Sequence, residues 1–109
     1  MDRKRAVAIA ERFLVVVNEK FAVEHAILFG SFAQGRNHAD SDIDLALVFK
    51  EIDDRFDLQI QLMCLRDDDA LLIEPHPFKA SDFNRNNPMV AEILKNGIEL
   101  KNFLANSNG

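Results

Sequence analysis

Apolar residues in this chain recur first at helical spacing and then gather into short continuous runs. From residue 3 to residue 21 they fall at Ala6, Ala10, Phe13, Val17 and Phe21. This spacing predicts an amphipathic helix. Apolar runs of strand length predict strands over residues 24–29 and 42–49, and the nearly continuous second run predicts a strand at the centre of a sheet.

A glycine-bounded segment separates these two strands. After Gly30 we predict a brief helix over residues 31–34. Gly35 ends it, because a glycine without a Cβ suits the turn at a helix C-terminus. Residues 36–41 are polar and predict a loop that leads into the second strand.

Residues 56–65 fit two patterns at once. Alternate positions are apolar, as in a strand, whereas Phe56, Ile60 and the pair Met63-Cys64 also mark one face of a helix. An aspartate at position 53 or 54 can cap a helix, and the Gln, Leu and Met content favours one, so we predict a helix. We expect the phenylalanines, Met63 and Cys64 to belong to the core.

Proline and glycine set the remaining boundaries. Residues 70–74 predict a third strand that ends at Pro75, because proline cannot donate to a β-ladder. The dipeptide Asn87-Pro88 predicts the start of a helix, and Gly97 lies where that helix ends. A last short strand is predicted over residues 98–100.

Interleaved helices and strands favour an α/β protein with helices packed on a sheet. We expect residues 1–104 to form one domain, because a chain of 109 residues is of single-domain size. Residues 105–109 are small and polar, which predicts a flexible C-terminal tail.

Composition narrows the class of protein. The formal net charge is −5 and no basic stripe is evident, so we expect no stable binding to nucleic acid. A single cysteine fits a reducing compartment. No apolar stretch approaches the roughly 20 residues that span a bilayer. We therefore expect a cytoplasmic protein without a membrane partner.

Candidate chemistry lies at Gly30-Ser31, ten residues before Asp42-Ile43-Asp44. A strand that turns through Gly-Ser into a helix can present free backbone N–H groups to a phosphate, and the serine can cap the helix. Two aspartates at i and i+2 on a strand share a face about 6.6 Å apart. That span suits two divalent ions about 3.5–4 Å apart.

Simpler interpretations exist for each of these residues. The Gly-Ser turn can be an ordinary capped junction, and the aspartates can end a strand in solvent. However, Asp44 precedes a buried run, and a carboxylate there needs compensation that a metal supplies. Glu74 is a candidate third carboxylate or an exposed strand end. His76 either contacts a nucleotide or acceptor, or stiffens a turn between two prolines.

The segments Gly30-Ser31-Phe32-Ala33-Gln34-Gly35 and Ser41-Asp42-Ile43-Asp44-Leu45 closely resemble the DNA polymerase beta nucleotidyltransferase superfamily. The short chain is similar to its minimal nucleotidyltransferases, which are often encoded beside a helical HEPN toxin. The segment Ile73-Glu74-Pro75-His76-Pro77-Phe78 is similar to one branch of that group. The resemblance implies a small mixed sheet with helices packed on it.

The resemblance also implies roles for individual residues. Gly30 and Ser31 hold a nucleotide triphosphate, with Ser41 as a further nucleotide contact. Asp42, Asp44 and Glu74 are the catalytic carboxylates and bind Mg²⁺, as two ions. Many members carry Arg or Lys where this chain has Gln34, and Arg36 is the candidate to supply that charge. The third carboxylate is often Asp, whereas here it is the longer Glu74.

We therefore expect an enzyme that moves AMP from ATP to a hydroxyl, in particular a tyrosine, of a HEPN-type toxin and so acts as its antitoxin. A single small domain borrows its acceptor surface from a partner or from a second copy, so we expect a hetero-oligomer or a homodimer. The alternatives are an antitoxin that neutralises its partner by contact alone and a nucleotidyltransferase for a small molecule.

Overall fold

The computed structural model describes residues 1–38 and 41–101. The predicted tail at 105–109 lies outside these residues. The chain alternates helices and strands in the order α1 (Arg3–Lys20), β1 (His25–Phe29), α2 (Ser31–Gln34), β2 (Ile43–Phe49), α3 (Arg55–Cys64), β3 (Ile73–Lys79), α4 (Pro88–Asn96) and β4 (Ile98–Leu100). Short 3-10 turns cover Asp68–Ala70 and Ala80–Asp82. No helix within the described residues is both long and apolar enough to cross a membrane.

The four strands form one mixed sheet in the order β3-β2-β1-β4. β1 runs antiparallel to both β2 and β4, whereas β2 runs parallel to β3. α3 lies between β2 and β3 in the chain, because parallel neighbours need a crossover rather than a tight turn. The predicted central position of the second strand is confirmed, and so is the small mixed sheet with helices.

Each face of the sheet packs against different helices. One face joins α1 and α3 in the larger core, which includes Leu14, Leu28, Leu45, Leu47 and Leu62. The other face buries Ile27, Ala46 and Phe78 beneath Val90 and Ile93 of α4. Strand side chains alternate between faces, so Asp44 lies on the same face as Ala46, beyond the part that α4 covers.

The predicted end of the third strand at Pro75 is wrong. β3 starts at Ile73, after the 3-10 turn, and continues through Pro75 and Pro77 to Lys79. β3 is an edge strand that pairs only with β2. Two prolines at alternate positions place both nitrogens on the outer edge, where no ladder hydrogen bond is required. His76 is consequently a strand residue rather than part of a turn.

The predicted helix over residues 56–65 is confirmed as α3, with Asp54 as its N-cap. Its buried face is different from the one we predicted. Leu58 and Leu62 are buried, whereas Phe56 is 74% exposed and Met63 and Cys64 are also exposed. Both sides of this helix carry apolar residues, and only the side with Leu58 and Leu62 packs into the core.

Replacing residues of α3 will distinguish these two sides. Leu62→Ala removes a fully buried side chain and should lower the free energy of unfolding by about 2–5 kcal/mol. The matched variant Phe56→Ala removes an exposed ring and should change it by no more than about 0.5 kcal/mol. Urea unfolding followed by circular dichroism measures both. A loss in Phe56→Ala equal to that in Leu62→Ala would contradict the packing described above.

Candidate functional site

The turn between β1 and α2 depends on the backbone of Gly30. Its dihedral angles, φ 76° and ψ −150°, lie in a region that is essentially restricted to glycine. Gly30 is the N-cap of α2, so the predicted capping role of Ser31 is wrong: Ser31 is the first helical residue. The first N–H groups of a helix lack partners within it. Ser31 therefore lies at the end of α2 where the N–H groups have no partner within the helix.

Arg3 fixes the far end of α2. Its Nε donates to the carbonyl oxygen of Phe32 at 3.0 Å, and its Nη2 donates to that of Ala33 at 3.0 Å. A guanidinium at a helix C-terminus satisfies free carbonyls and complements the helix dipole. Gly35 then ends α2 in a left-handed conformation, with φ 71°. The sequence patterns did not identify Arg3, because it lies about 30 residues from its partners.

Two carboxylates lie side by side on β2 and β3. The parallel register pairs Asp44 with Glu74 and Ala46 with His76. One ligand atom from each of Asp44, Glu74 and His76 lies within 4.8 Å of the others, a spacing that could hold a metal ion. Glu74 is therefore next to Asp44, as we expected of a third carboxylate.

His76 connects the two acidic groups. Its Nε2 lies 3.3 Å from Oδ1 of Asp44 and 4.0 Å from Oε1 of Glu74. The ring packs edge-to-face on Phe29, with centroids 5.1 Å apart. The side chains of His76 and Asp44 are only 18% and 26% exposed, whereas that of Glu74 is 48% exposed. Asp44 is thus the less exposed of the two carboxylates, and Glu74 is the more exposed.

Gly30 and Asp44 are in close contact. A Cβ placed on Gly30 would collide with Oδ2 of Asp44 and would lie 3.2 Å from its Cγ. This proximity follows from the antiparallel register, in which Phe29 pairs with Asp44. The Gly30 turn and the paired carboxylates are therefore adjacent at one end of the sheet.

The other predicted site residues are not members of this group. Asp42 is exposed and precedes β2 by one residue, and it is outside the group formed by Asp44, Glu74 and His76. Ser41 is buried, and its hydroxyl accepts a hydrogen bond from the His38 N–H at 2.8 Å. Arg36 is exposed, and its guanidinium donates to the side-chain oxygen of Gln34.

The residues present fit a divalent cation. Carboxylate oxygens are the ligands that Mg²⁺ prefers, and a histidine nitrogen is accepted by Mn²⁺ and other transition metals. Two neighbouring carboxylates repel each other unless a positive charge lies nearby. Among the described residues, the ring of His76 is the group placed against both carboxylates. A bound cation would remove the repulsion.

Comparisons with known proteins agree with this geometry. The family model described as "Polymerase beta, Nucleotidyltransferase" matches residues 13–103. A Sulfolobus solfataricus protein provisionally assigned as a nucleotidyltransferase is 22% identical in sequence. The match covers 89% of this chain and 80% of that protein, with a TM-score of 0.68. A chain from a toxin–antitoxin structure with AMP-PNP is 19% identical in sequence. The match covers 92% of this chain and 77% of that chain, with a TM-score of 0.57. No curated protein matches the sequence significantly.

A double-mutant cycle will test the contact between the turn and the carboxylate. Gly30→Ala should cost about 1–3 kcal/mol from backbone strain, and more because its methyl group meets Asp44. In an Asp44→Ala background the cost should fall, giving a coupling of about 0.5–3 kcal/mol in urea unfolding. Gly35→Ala is the control, since its methyl group would meet only Arg3, at 3.4 Å. Equal coupling for both glycines would refute the contact.

Proposed function

The chain belongs to the polymerase beta nucleotidyltransferase family, and we propose that it transfers AMP from ATP to a hydroxyl group of a partner toxin. The observation that carries the proposal is the junction of the Gly30-Ser31 turn with the carboxylates of Asp44 and Glu74. A phosphate-binding turn in contact with a paired-carboxylate site suits a metal–nucleotide complex.

Asp44 and Glu74 are the proposed metal ligands, with Asp42 as a further carboxylate at the start of β2. A bound Mg²⁺ supplies charge neutralisation for the triphosphate. The ring of His76 restrains Asp44 through the 3.3 Å contact. Since Glu74 is the more exposed carboxylate, it is the group we assign to orient the acceptor hydroxyl or accept its proton.

The nucleotide phosphates are proposed to lie on the turn. Backbone N–H groups at the start of α2 and the hydroxyl of Ser31 provide donors. Arg36 is proposed to supply the positive charge that Gln34 lacks, because its guanidinium donates to the side-chain oxygen of Gln34. Ser41 is proposed to position the adjacent loop, since its hydroxyl binds the His38 N–H.

The reaction is a displacement at the α-phosphorus of ATP. A bond forms between the acceptor oxygen and this phosphorus, the bond to the bridging oxygen breaks, and pyrophosphate leaves. The acceptor proton passes to Glu74 or to solvent. The donors of the turn and Arg36 stabilise negative charge that develops on the phosphate oxygens.

A toxin is the proposed acceptor because one structural neighbour is a toxin–antitoxin structure with AMP-PNP. A HEPN-type helical toxin modified on tyrosine is the specific proposal. The second candidate function is an antitoxin that acts by contact alone. Gln34 favours this alternative, because its amide donates to Glu92 at 3.3 Å and brings no charge to the site.

Nucleotide binding provides the first test. Asp44→Asn should weaken binding of ATP with Mg²⁺ at least tenfold, about 1.4 kcal/mol, in isothermal titration calorimetry. The control Glu24→Gln also removes one carboxylate charge, at an exposed position outside the site, and should bind like the wild type. Chelating the metal should bring the wild type and Asp44→Asn to the same weak affinity. Equal affinities in Mg²⁺ would exclude Asp44 as a metal ligand.

Transfer to a protein provides the second test. The purified chain is incubated with Mg²⁺, native-host lysate and ATP labelled at the α-phosphate. We expect a labelled protein band with the wild type and Glu24→Gln, and none with Asp44→Asn. ATP labelled at the γ-phosphate should give no band, which distinguishes nucleotidyl from phosphoryl transfer. If ATP binds but no band forms, the protein acceptor is wrong and the contact antitoxin becomes the better account.

A further inference from the structure

Helix α3 carries a second apolar side that the sheet does not use. Phe56, Ile60 and Met63 follow one another at spacings of four and three, which places them in one row on the helix. All three are exposed, whereas Leu58 and Leu62 face the core. A surface helix normally has one apolar side. We call this row the α3 stripe.

An open groove adjoins the α3 stripe. It has a volume of about 320 Å³ and lies between α3 and the end of α1, lined by Lys20, Phe21, Ile60, Gln61, Cys64 and Leu65. Ile60 belongs to both the stripe and the groove. Contiguous exposed apolar surface of this kind is typical of protein interaction sites.

Acidic residues mark both ends of the stripe. Asp53, Asp54 and Asp57 are exposed at its start, and Asp67 and Asp68 are exposed beyond its end. Two of the neighbouring cations contact other groups, whereas Lys20 of α1 lines the groove. Arg55 lies over the ring of Phe78, 5.2 Å from its centroid. Arg66 donates to the carbonyl oxygens of Met63, Leu71 and Ile73, each at 3.0 Å.

We propose that the α3 stripe and its groove bind a helix of a partner protein whose apolar side is flanked by Lys and Arg. An apolar helix side fits the stripe and groove, and the basic flanks complement the acidic ends. A second copy of this chain is disfavoured, because a two-fold pairing of stripes brings acidic ends together. The binding surface does not depend on the proposed transfer reaction.

Helix α3 is also attached to β3, the edge strand that carries Glu74. The side-chain amide of Gln59 on α3 donates to the carbonyl oxygen of Pro75 at 3.0 Å, so α3 and β3 are joined next to that carboxylate. α3 packs on the face of the sheet opposite to the one that carries Asp44, so a partner helix on the α3 stripe leaves the candidate site uncovered.

A synthetic helix tests the proposal. The probe is a fluorescein-labelled peptide of about 18 residues, long enough to be helical, with leucines on one side and lysines on the other. A second peptide has glutamate in place of each lysine. Fluorescence anisotropy should show that the wild type binds the lysine peptide at least about tenfold more tightly, and that salt weakens this binding.

Matched variants locate the binding surface. Ile60→Lys and Leu94→Lys make the same charge change at helix positions that are 46% and 41% exposed. Ile60→Lys should weaken binding of the lysine peptide at least about tenfold, whereas Leu94→Lys should stay within about twofold. The uncharged variant Phe56→Ser should also weaken binding. Circular dichroism confirms that each variant is folded.

Three results would overturn the proposal. Equal weakening in Ile60→Lys and Leu94→Lys would mean that the peptide responds to overall charge. Equal affinity for the lysine and glutamate peptides, or no affinity for either, would exclude a basic helix as the occupant. A concentration-dependent dimer in sedimentation velocity that Ile60→Lys abolishes would show that a second copy occupies the stripe.

Discussion

Parallel pairing of β2 with β3 places the carboxylates of Asp44 and Glu74 on adjacent strands, directly opposite each other. Like charges in this position oppose folding unless a cation or a proton compensates them. The other features of the site are arranged around this pair. His76 follows Glu74 by two residues on the same face. Gly30 lies against Asp44 because the preceding residue, Phe29, pairs with Asp44 between β1 and β2. A cation between the strands would neutralise the repulsion between the two carboxylates. The same ion would therefore stabilise the fold and serve the candidate chemistry.

The two faces of the sheet have different functions. The face beneath α1 and α3 carries the larger core and most of the buried leucines. On the opposite face, Val90 and Ile93 of α4 cover only the apolar part. The end with Asp44, Glu74 and His76 stays accessible beside the Gly30 turn. Stability therefore comes mainly from one face, and the other is free to hold polar groups near solvent.

Much of this architecture could be predicted from local patterns. Helical periodicity in residues 3–21 and the continuous run after Asp42 correspond to α1 and β2. The strand-turn-helix context of Gly30 and the place of Glu74 beside Asp44 also agree with the sequence reasoning. The catalytic and ligand roles of these residues remain predictions.

The errors arose where the outcome depends on distant contacts. A proline ends a central strand but is tolerated in an edge strand. Only the order of strands in the sheet shows that Pro75 lies in an edge strand. α3 is apolar on two sides, so its periodicity could not decide whether Phe56 or Leu58 is buried. The contacts of Arg3 with α2 and of His76 with Asp44 join residues far apart in the chain. Sequence spacing alone carries no signal for them.

The most direct test of the central claim is a crystal structure of the protein with Mn²⁺ and a non-hydrolysable ATP analogue. Anomalous scattering from manganese would locate the ion without reference to the expected site. We predict an anomalous peak within bonding distance of Asp44 and Glu74, with the phosphates against the backbone of Gly30 and Ser31. Manganese and nucleotide bound elsewhere, for example in the cavity lined by Arg55 and Lys79, with Asp44 free of metal, would contradict it.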